Sequence, residues 1–491
     1  MKINGKHIVN VVIAIIFFLP MAVHSATSRF IHLDELKPGM KGIAYSVFQG
    51  TEPESFSVEL QSIVDGPVAG SRYMLLKVRN EALRIGSGFS GSPVYFDDRL
   101  AGAISHMEQN LVSQFAMAVP IERMLDDGAK SSASAAQMGA SLPELKPGSM
   151  IALPQVRGDF WMGSSGTVTH VDNGLLLAFG HENFFSGDSV QLPIHRATVH
   201  GIIPKLDISH KEASPLEEIG SVVWDGKSAL VGRLGTKAAM SPFTVDYLSA
   251  SGARKHFDLE MLNHTRFVPG ITTRAIRYIL SSLVPSSPAG VDLDCTLTIR
   301  IKGLDTPVVI NQRFNAETLK GDSPGSPNPL QSLLTALMFP IREYQSLSSI
   351  SITMADIPDA KTGRIIEAAF SRIKARAGDT VNLRIRLNGP FAEPRDVSVP
   401  VKIPAGYDLP QFIVSVQAGK SVRPSEATPG TVQEIAGWLS GIARSDELVV
   451  LTPGTLNASI YPEARLNRTV ARIGWNVEGS SEARIAVEGG E

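Results

Sequence analysis

Apolar and polar residues alternate in short bursts along most of this chain. In "TLTIRIKG", "TVNLRIRLNG" and "DVSVPVKIP" nearly every second residue is apolar, the period of a strand with one face in a core. Val381, Leu383, Ile385 and Leu387 would share such a face. Before residue 126 the same style predicts strands at 43–47, 56–64, 73–78, 94–96 and 100–105, separated by turns such as Asp65-Gly-Pro and Asp97-Asp98. Residues 150–280 return to short strands with glycine turns. Helical spacing is rarer. Leu330, Leu333, Leu334 and Leu337 fall on one helix face, and residues 431–439 suggest another helix ahead of a strand at 448–451.

Two hairpin-like segments resemble each other. "GSPVYFDDRLAGAISH", ending at His106, and "GTVTHVDNGLLLAFGH", ending at His181, are both 16 residues long and share Gly, Asp, Leu, Ala and His at matching offsets. "FSVEL" from Phe56 and "FDLEM" from Phe257 point the same way. The expectation is two similar β-barrels built from one unit, followed by a β-sandwich-like region with a few helices. The divisions expected are a leader at 1–26, a first half at 27–126, a small polar linker at 127–148, a second half at 149–285, and a β-rich C-terminal region at 288–491 that could form two subdomains.

Composition narrows the function classes. A formal net charge of −2 gives no basic excess for nucleic acid. Lys2 and Lys6, the apolar run 8–19 and the small residues near Ser25 read as a secretory signal peptide, so a bacterial periplasmic protein without stable membrane insertion is expected. Cys295 is the single cysteine, which excludes an intrachain disulfide and a multi-cysteine zinc site; no metal or cofactor is expected.

The candidate chemistry lies in "GSGFSGSP", residues 86–93. Gly86, Gly88 and Gly91 match a dinucleotide fingerprint by count, but a strand rather than a helix follows, so no helix N-terminus would face a phosphate. The Gly-x-Ser-x-Gly elbow fails because Ser92 stands at its last position. What remains is a nucleophile loop before a hairpin, with Ser90 as nucleophile and the backbone amides of Gly88 and Ser90 turned toward an oxyanion. A serine needs a base, and His181, at the end of the apolar run "LLLAFGH", supplies it. Ser87 and Ser92 read as loop hydrogen-bonders and His106 as structural. His170, His195, His200 and His210 lack metal-ligand spacing, and Asp172 and Asp188 are candidates to supply a carboxylate near His181, although Asp172 sits at a hairpin turn where Asp is expected anyway.

At these residues the chain resembles the SpoIVB-type serine peptidases, through Gly88-Phe-Ser90-Gly-Ser-Pro93 with "DDRLAGAISH", through "LAFGH" ending at His181, and through flanking segments at 36–60 and 231–247. The resemblance spans roughly residues 33–280. It implies a trypsin-like double β-barrel, a protein or peptide substrate, and acyl transfer by Ser90 with His181 as general base. The serine motif here precedes the histidine motif, a permuted order, and no PDZ segment is evident. Where the family places its acidic triad member this chain has Asn80, with Glu81 beside it. Asn can orient a histidine but stabilises an imidazolium less than a carboxylate does. Two classes therefore stand: an exported serine endopeptidase, or a catalytically inactive periplasmic binding or scaffold protein on the same fold.

Overall fold

The computed structural model describes residues 28–66, 71–79, 85–107, 114–131, 144–184, 191–205, 208–286, 290–321, 328–338, 347–358, 360–389, 392–419, 432–453 and 466–488. The protein is mainly β. Strands β1 (Lys41–Ser46), β2 (Glu54–Asp65), β3 (Arg72–Val78), β4 (Pro93–Phe96), β5 (Arg99–Met107) and β6 (Phe115–Pro120) close into a barrel in the order β1-β2-β3-β6-β5-β4. Phe56, Val58 and Leu60 on β2 and Met74 and Leu76 on β3 fill it, as period-2 alternation requires.

Helix α1 (Ile121–Lys130) leads out of this barrel. The residues read as the start of a linker, Asp127 and Gly128, are its last turn. Ile121 and Met124 are buried with Leu177 and Val231 of the second half, and the Asp127 carboxylate accepts the amides of Ser228 (2.7 Å) and Ala229 (3.2 Å). Long-range packing stabilises a helix here that small residues do not announce.

Strands β7 (Met150–Gly158), β8 (Met162–Asp172), β9 (Leu175–Ala178), β10 (Pro193–Ile203), β11 (His210–Asp225) and β12 (Leu230–Leu234) pair as β7-β8-β9-β12-β11-β10, and β10 returns to β7. Adding six to each strand number of the first barrel reproduces this order. One connectivity is used twice.

The two segments alike in sequence are not equivalent in this order. The segment ending at His106 is β4–β5, whose topological counterpart is β10–β11; the segment ending at His181 is β8–β9, counterpart of β2–β3. Phe257 lies outside both barrels. The likeness has a local cause: both hairpins turn on two residues of positive φ, Asp97 (48°) with Asp98 (58°), and Asn173 (47°) with Gly174 (74°). Such two-residue turns match the twist of the flanking strands and select similar sequences wherever they occur.

The second barrel does not end the sheet. β13 (Met240–Leu248) and β14 (Arg254–Leu262) form a hairpin whose second strand pairs with β7. Helix α2 (Val268–Leu283), strands β15 (Asp292–Ile301) and β16 (Val308–Asn315), helices α3 (Ala316–Lys320) and α4 (Pro329–Met338) and strand β17 (Leu347–Ile357) follow, with β17 parallel to β13. Leu330, Leu334 and Leu337 of α4 join Ile276 and Ile279 of α2 in one core with Phe243 and Ile350. The change of pattern near residue 288 therefore falls inside one continuous sheet.

The sandwich begins later, with β18 (Thr362–Phe370), β19 (Lys374–Arg376), β20 (Thr380–Gly389), β21 (Ala392–Lys402), β22 (Gln411–Ala418), β23 (Glu447–Pro453), β24 (Leu466–Arg472), β25 (Asn476–Glu478) and β26 (Ser480–Glu488), while helix α5 (Val432–Ser440), between β22 and β23, buries Ile435 and Leu439 in the core of the preceding sheet. Its two sheets share a core in which Val381, Leu383, Ile385 and Leu387 face Phe412, Val414 and Val416. Among the described residues no helix is long and apolar enough to cross a membrane.

Candidate active site

The serine loop connects β3 to β4, and its glycines are dictated by how closely it is pressed against the second barrel. A Cβ on Gly86 would lie 1.8 Å from the carbonyl oxygen of Ser209, and one on Gly91 would lie 1.9 Å from that of Thr167. Gly88 and Gly91 both have φ of +93°, a conformation that favours glycine. Backbone bonds tie the loop to the second barrel. Ser87 donates to Ser209 (2.8 Å) and accepts from Lys211 (3.0 Å), and Ser90 accepts from Thr167 (2.8 Å).

Within the loop the amides divide into two sets. Phe89 donates to the Gly86 carbonyl (3.1 Å), Gly91 to that of Ile104 (2.7 Å) and Ser92 to that of Phe89 (2.9 Å). Among the described residues, the amides of Gly88 and Ser90 donate to no protein group. A pair of unspent amides two residues apart, beside a hydroxyl, is what an oxyanion site requires.

The three serines have different surroundings. Ser87 is exposed, Ser92 is fully buried, and Ser90 is half-buried. The Ser90 hydroxyl donates to the carbonyl of Ser105 at 3.3 Å. The Ser105 hydroxyl donates in turn to the carbonyl of Gly180 at 2.7 Å, one residue before His181. The serine loop and the histidine loop are thus joined through Ser105, a residue that no motif singled out.

His181 follows β9 in the connection to β10, the counterpart in the second barrel of the connection that carries Ser90. Its backbone approach is strained. Phe179 has a φ of +69°, and the Gly180 amide reaches back to the Ala178 carbonyl at 2.9 Å, closing a three-residue turn of positive φ. Nδ1 of His181 lies 2.6 Å from the carbonyl oxygen of Glu182. A carbonyl only accepts, so Nδ1 is the donor in this contact. Asp225, fully buried on β11, accepts the amides of Asn183 and Phe184, each at 2.8 Å, and so anchors the segment after His181.

Asn80, Glu81 and Asp188 lie outside the described residues. Asp172 sits in the exposed β8–β9 turn, 3.8 Å from Arg29. His195 bonds the Leu216 carbonyl, and His200 bonds Ser214. Burial lowers the pKa of His170, which packs edge-on to Phe30. No group of three metal-ligating side chains occurs among the described residues.

One ionisable residue of the site had no sequence signal. Lys211, in the run "ISHKEAS", is buried at the junction of the barrels. Its amine lies 2.6 Å from the hydroxyl of Ser46 and 4.1 Å from the centroid of the Phe89 ring. Burial pulls its pKa down from 10.5 to about 7.

Two closed barrels of one connectivity, with a serine and a histidine in equivalent facing connections, define a trypsin-like double-barrel fold. Residues 23–125 match the family model of the SpoIVB peptidase S55, which places a SpoIVB-type serine peptidase signature on the first barrel and its serine loop. Among curated proteins no match is found. The matched residues end before the barrel that carries His181, which repeats the strand order of the first.

Proposed function

We propose that the protein is an exported serine endopeptidase acting on protein or peptide substrates, with Ser90 as nucleophile and His181 as general base. The observation that carries this reading is the placement of Ser90 and His181 in equivalent connections of the two barrels, joined through Ser105. The Ser90 hydroxyl swings from the Ser105 carbonyl to Nε2 of His181 and attacks the scissile carbonyl carbon while Nε2 takes its proton. The amides of Gly88 and Ser90 receive the oxyanion. Collapse of the tetrahedral intermediate breaks the C–N bond, and the imidazolium protonates the leaving amine. Water, deprotonated by the same nitrogen, then releases the acyl group. The N-terminal run of apolar residues after Lys2 and Lys6 supports export to a periplasm.

The Glu182 carbonyl orients the imidazole but carries no formal charge. In triads, a carboxylate beside the histidine rather than a neutral group is worth on the order of 10⁴ in kcat. The hydroxyl of Ser90 bonded to Ser105, rather than to the imidazole, favours a second reading, a non-catalytic binding protein on this scaffold. A fluorophosphonate probe separates the two. Covalent labelling of the folded protein, abolished by Ser90→Ala, supports the peptidase. Folded wild-type protein that takes up no probe removes it.

A further inference from the structure

Between the barrels runs a buried polar chain that ends on the serine loop. Ser46 at the end of β1 is fully buried, and its hydroxyl meets three groups: the Lys211 amine from β11, the Ser92 hydroxyl at 3.0 Å, and the Thr167 hydroxyl from β8 at 3.3 Å. The Thr167 hydroxyl donates to the carbonyl of Gly88 at 2.8 Å. The Ser92 hydroxyl donates to the carbonyl of Phe89 at 2.7 Å. These two carbonyls belong to the peptide units whose nitrogens sit on Phe89 and Ser90. Fixing them fixes which way the unspent amide of Ser90 points, and the Gly88 turn with it.

Lys211 stands at the far end of this chain. Its stem packs on Gly88, where an added Cβ would come within 3.1 Å of it, and its amine caps the Phe89 ring. Ser46 and Ser92 are both fully buried, so a lysine–serine pair here is closed to a substrate. Its output is the shape of the loop. We propose that Lys211 is a positioning residue of the serine loop, acting through Ser46 to hold the carbonyls of Gly88 and Phe89 and so to aim the oxyanion amide of Ser90.

Among the described residues, the groups packed against the amine are uncharged: the Ser46 hydroxyl from β1, the Phe89 ring from the loop, and beyond Ser46 the hydroxyls of Thr167 and Ser92. On its own strand the flanking His210 and Glu212 face each other at 3.5 Å. An ammonium must donate to Ser46, which directs the Ser46 proton onward to Ser92 or Thr167. A neutral amine can instead accept that proton and slacken the chain. The burial that lowers the Lys211 pKa brings both states within reach near neutrality.

The activity readout rests on the reading of Ser90 as nucleophile, so a second readout independent of it is included. Lys211→Met keeps the apolar stem and removes the amine; Ser46→Ala breaks the link and leaves the amine in place. Each is expected to slow fluorophosphonate labelling of Ser90 by 10-fold or more, and the double variant is expected to be no slower than the worse single variant. Hydrogen exchange of the amides of Phe89, Gly91 and Ser92 should accelerate at least 10-fold in both, with exchange in the C-terminal sandwich unchanged. Should Lys211→Met fail to fold, Ser46→Ala carries the test. Wild-type protein that never labels, combined with faster loop exchange in the variants, would sink the peptidase reading and leave the positioning role standing. Wild-type labelling rates and wild-type loop exchange in folded Ser46→Ala or Lys211→Met would overturn the positioning role. Labelling losses that multiply in the double variant would overturn it as well.

Discussion

The two barrels share a connectivity and divide the labour. The first carries the serine loop, whose glycines allow backbone to lie against backbone. The second carries the histidine, the buried lysine and the carbonyls of Thr167 and Ser209 that the loop leans on. Both barrels supply hydrogen bonds that shape residues 86–92, Ile104 from the first and Thr167 and Ser209 from the second among them. The strand order sets where the two connections meet; the residues within the connections determine the chemistry. This agrees with the general rule that loops on a rigid scaffold carry function.

The sharpest way to break this comparison is to force the barrels apart at the loop. Gly91→Ala puts a methyl 1.9 Å from the Thr167 carbonyl and 2.5 Å from the Phe179 amide, at a φ of +93°. A loss of about 3 kcal/mol or more in urea unfolding, together with loss of probe labelling, is expected. Gly50, at a φ of +72°, has nothing within 4 Å of an added Cβ. Gly50→Ala should therefore cost only about 1 kcal/mol, the conformational part alone. Equal costs at the two positions would show that close approach of the barrels does not constrain the loop.

A smaller effect concerns Lys211. Its folded pKa, near 7, lies below the unfolded value of 10.5, so the unfolded chain binds more protons between those pH values. Stability should accordingly rise with pH across that window, by at most about 1.4 kcal/mol per unit from this group. The burial cost is fully present below about pH 7. Lys211→Met should remove this part of the slope, read as unfolding free energy at pH 7, 8.5 and 9.5 on the order of one scan each. A slope unchanged in the variant would place the lysine in water. The least effect is expected at Asp172→Ala, in an exposed turn with a long ion pair to Arg29. A stability change under about 0.5 kcal/mol and unchanged labelling are expected. A large labelling loss would make Asp172 a partner of His181.

Much of the site was legible because its signals are local. A loop that needs left-handed backbone at Gly88 and Gly91 and close approach to Ser209 at Gly86 must spend glycines, and these three advertise it around Ser90. The strands at 43–47 and 73–78 were readable because a half-buried strand alternates. Ser105, Asp225 and Lys211 were not readable. Each sits in an ordinary strand, and its importance comes from a partner distant in the chain: Gly180 for Ser105, Asn183 and Phe184 for Asp225, Ser46 for Lys211. The sequence likeness of the two hairpins does not mark the structural repeat, because two-residue turns of positive φ impose one sequence style on hairpins that are not counterparts.

By itself the amino-acid sequence determined the β-rich character, the serine loop, the histidine at the end of an apolar strand, and the alternating faces of the sandwich around Leu383. These follow from backbone sterics and from the two-residue period of a strand, which act over a few neighbours. The tertiary structure alone decided that both barrels close in the same strand order, that the second barrel's sheet continues through β17, and that a lysine becomes a neighbour of the serine loop. Those outcomes depend on hydrogen bonds and desolvation between segments tens to hundreds of residues apart, where no local pattern records the partner.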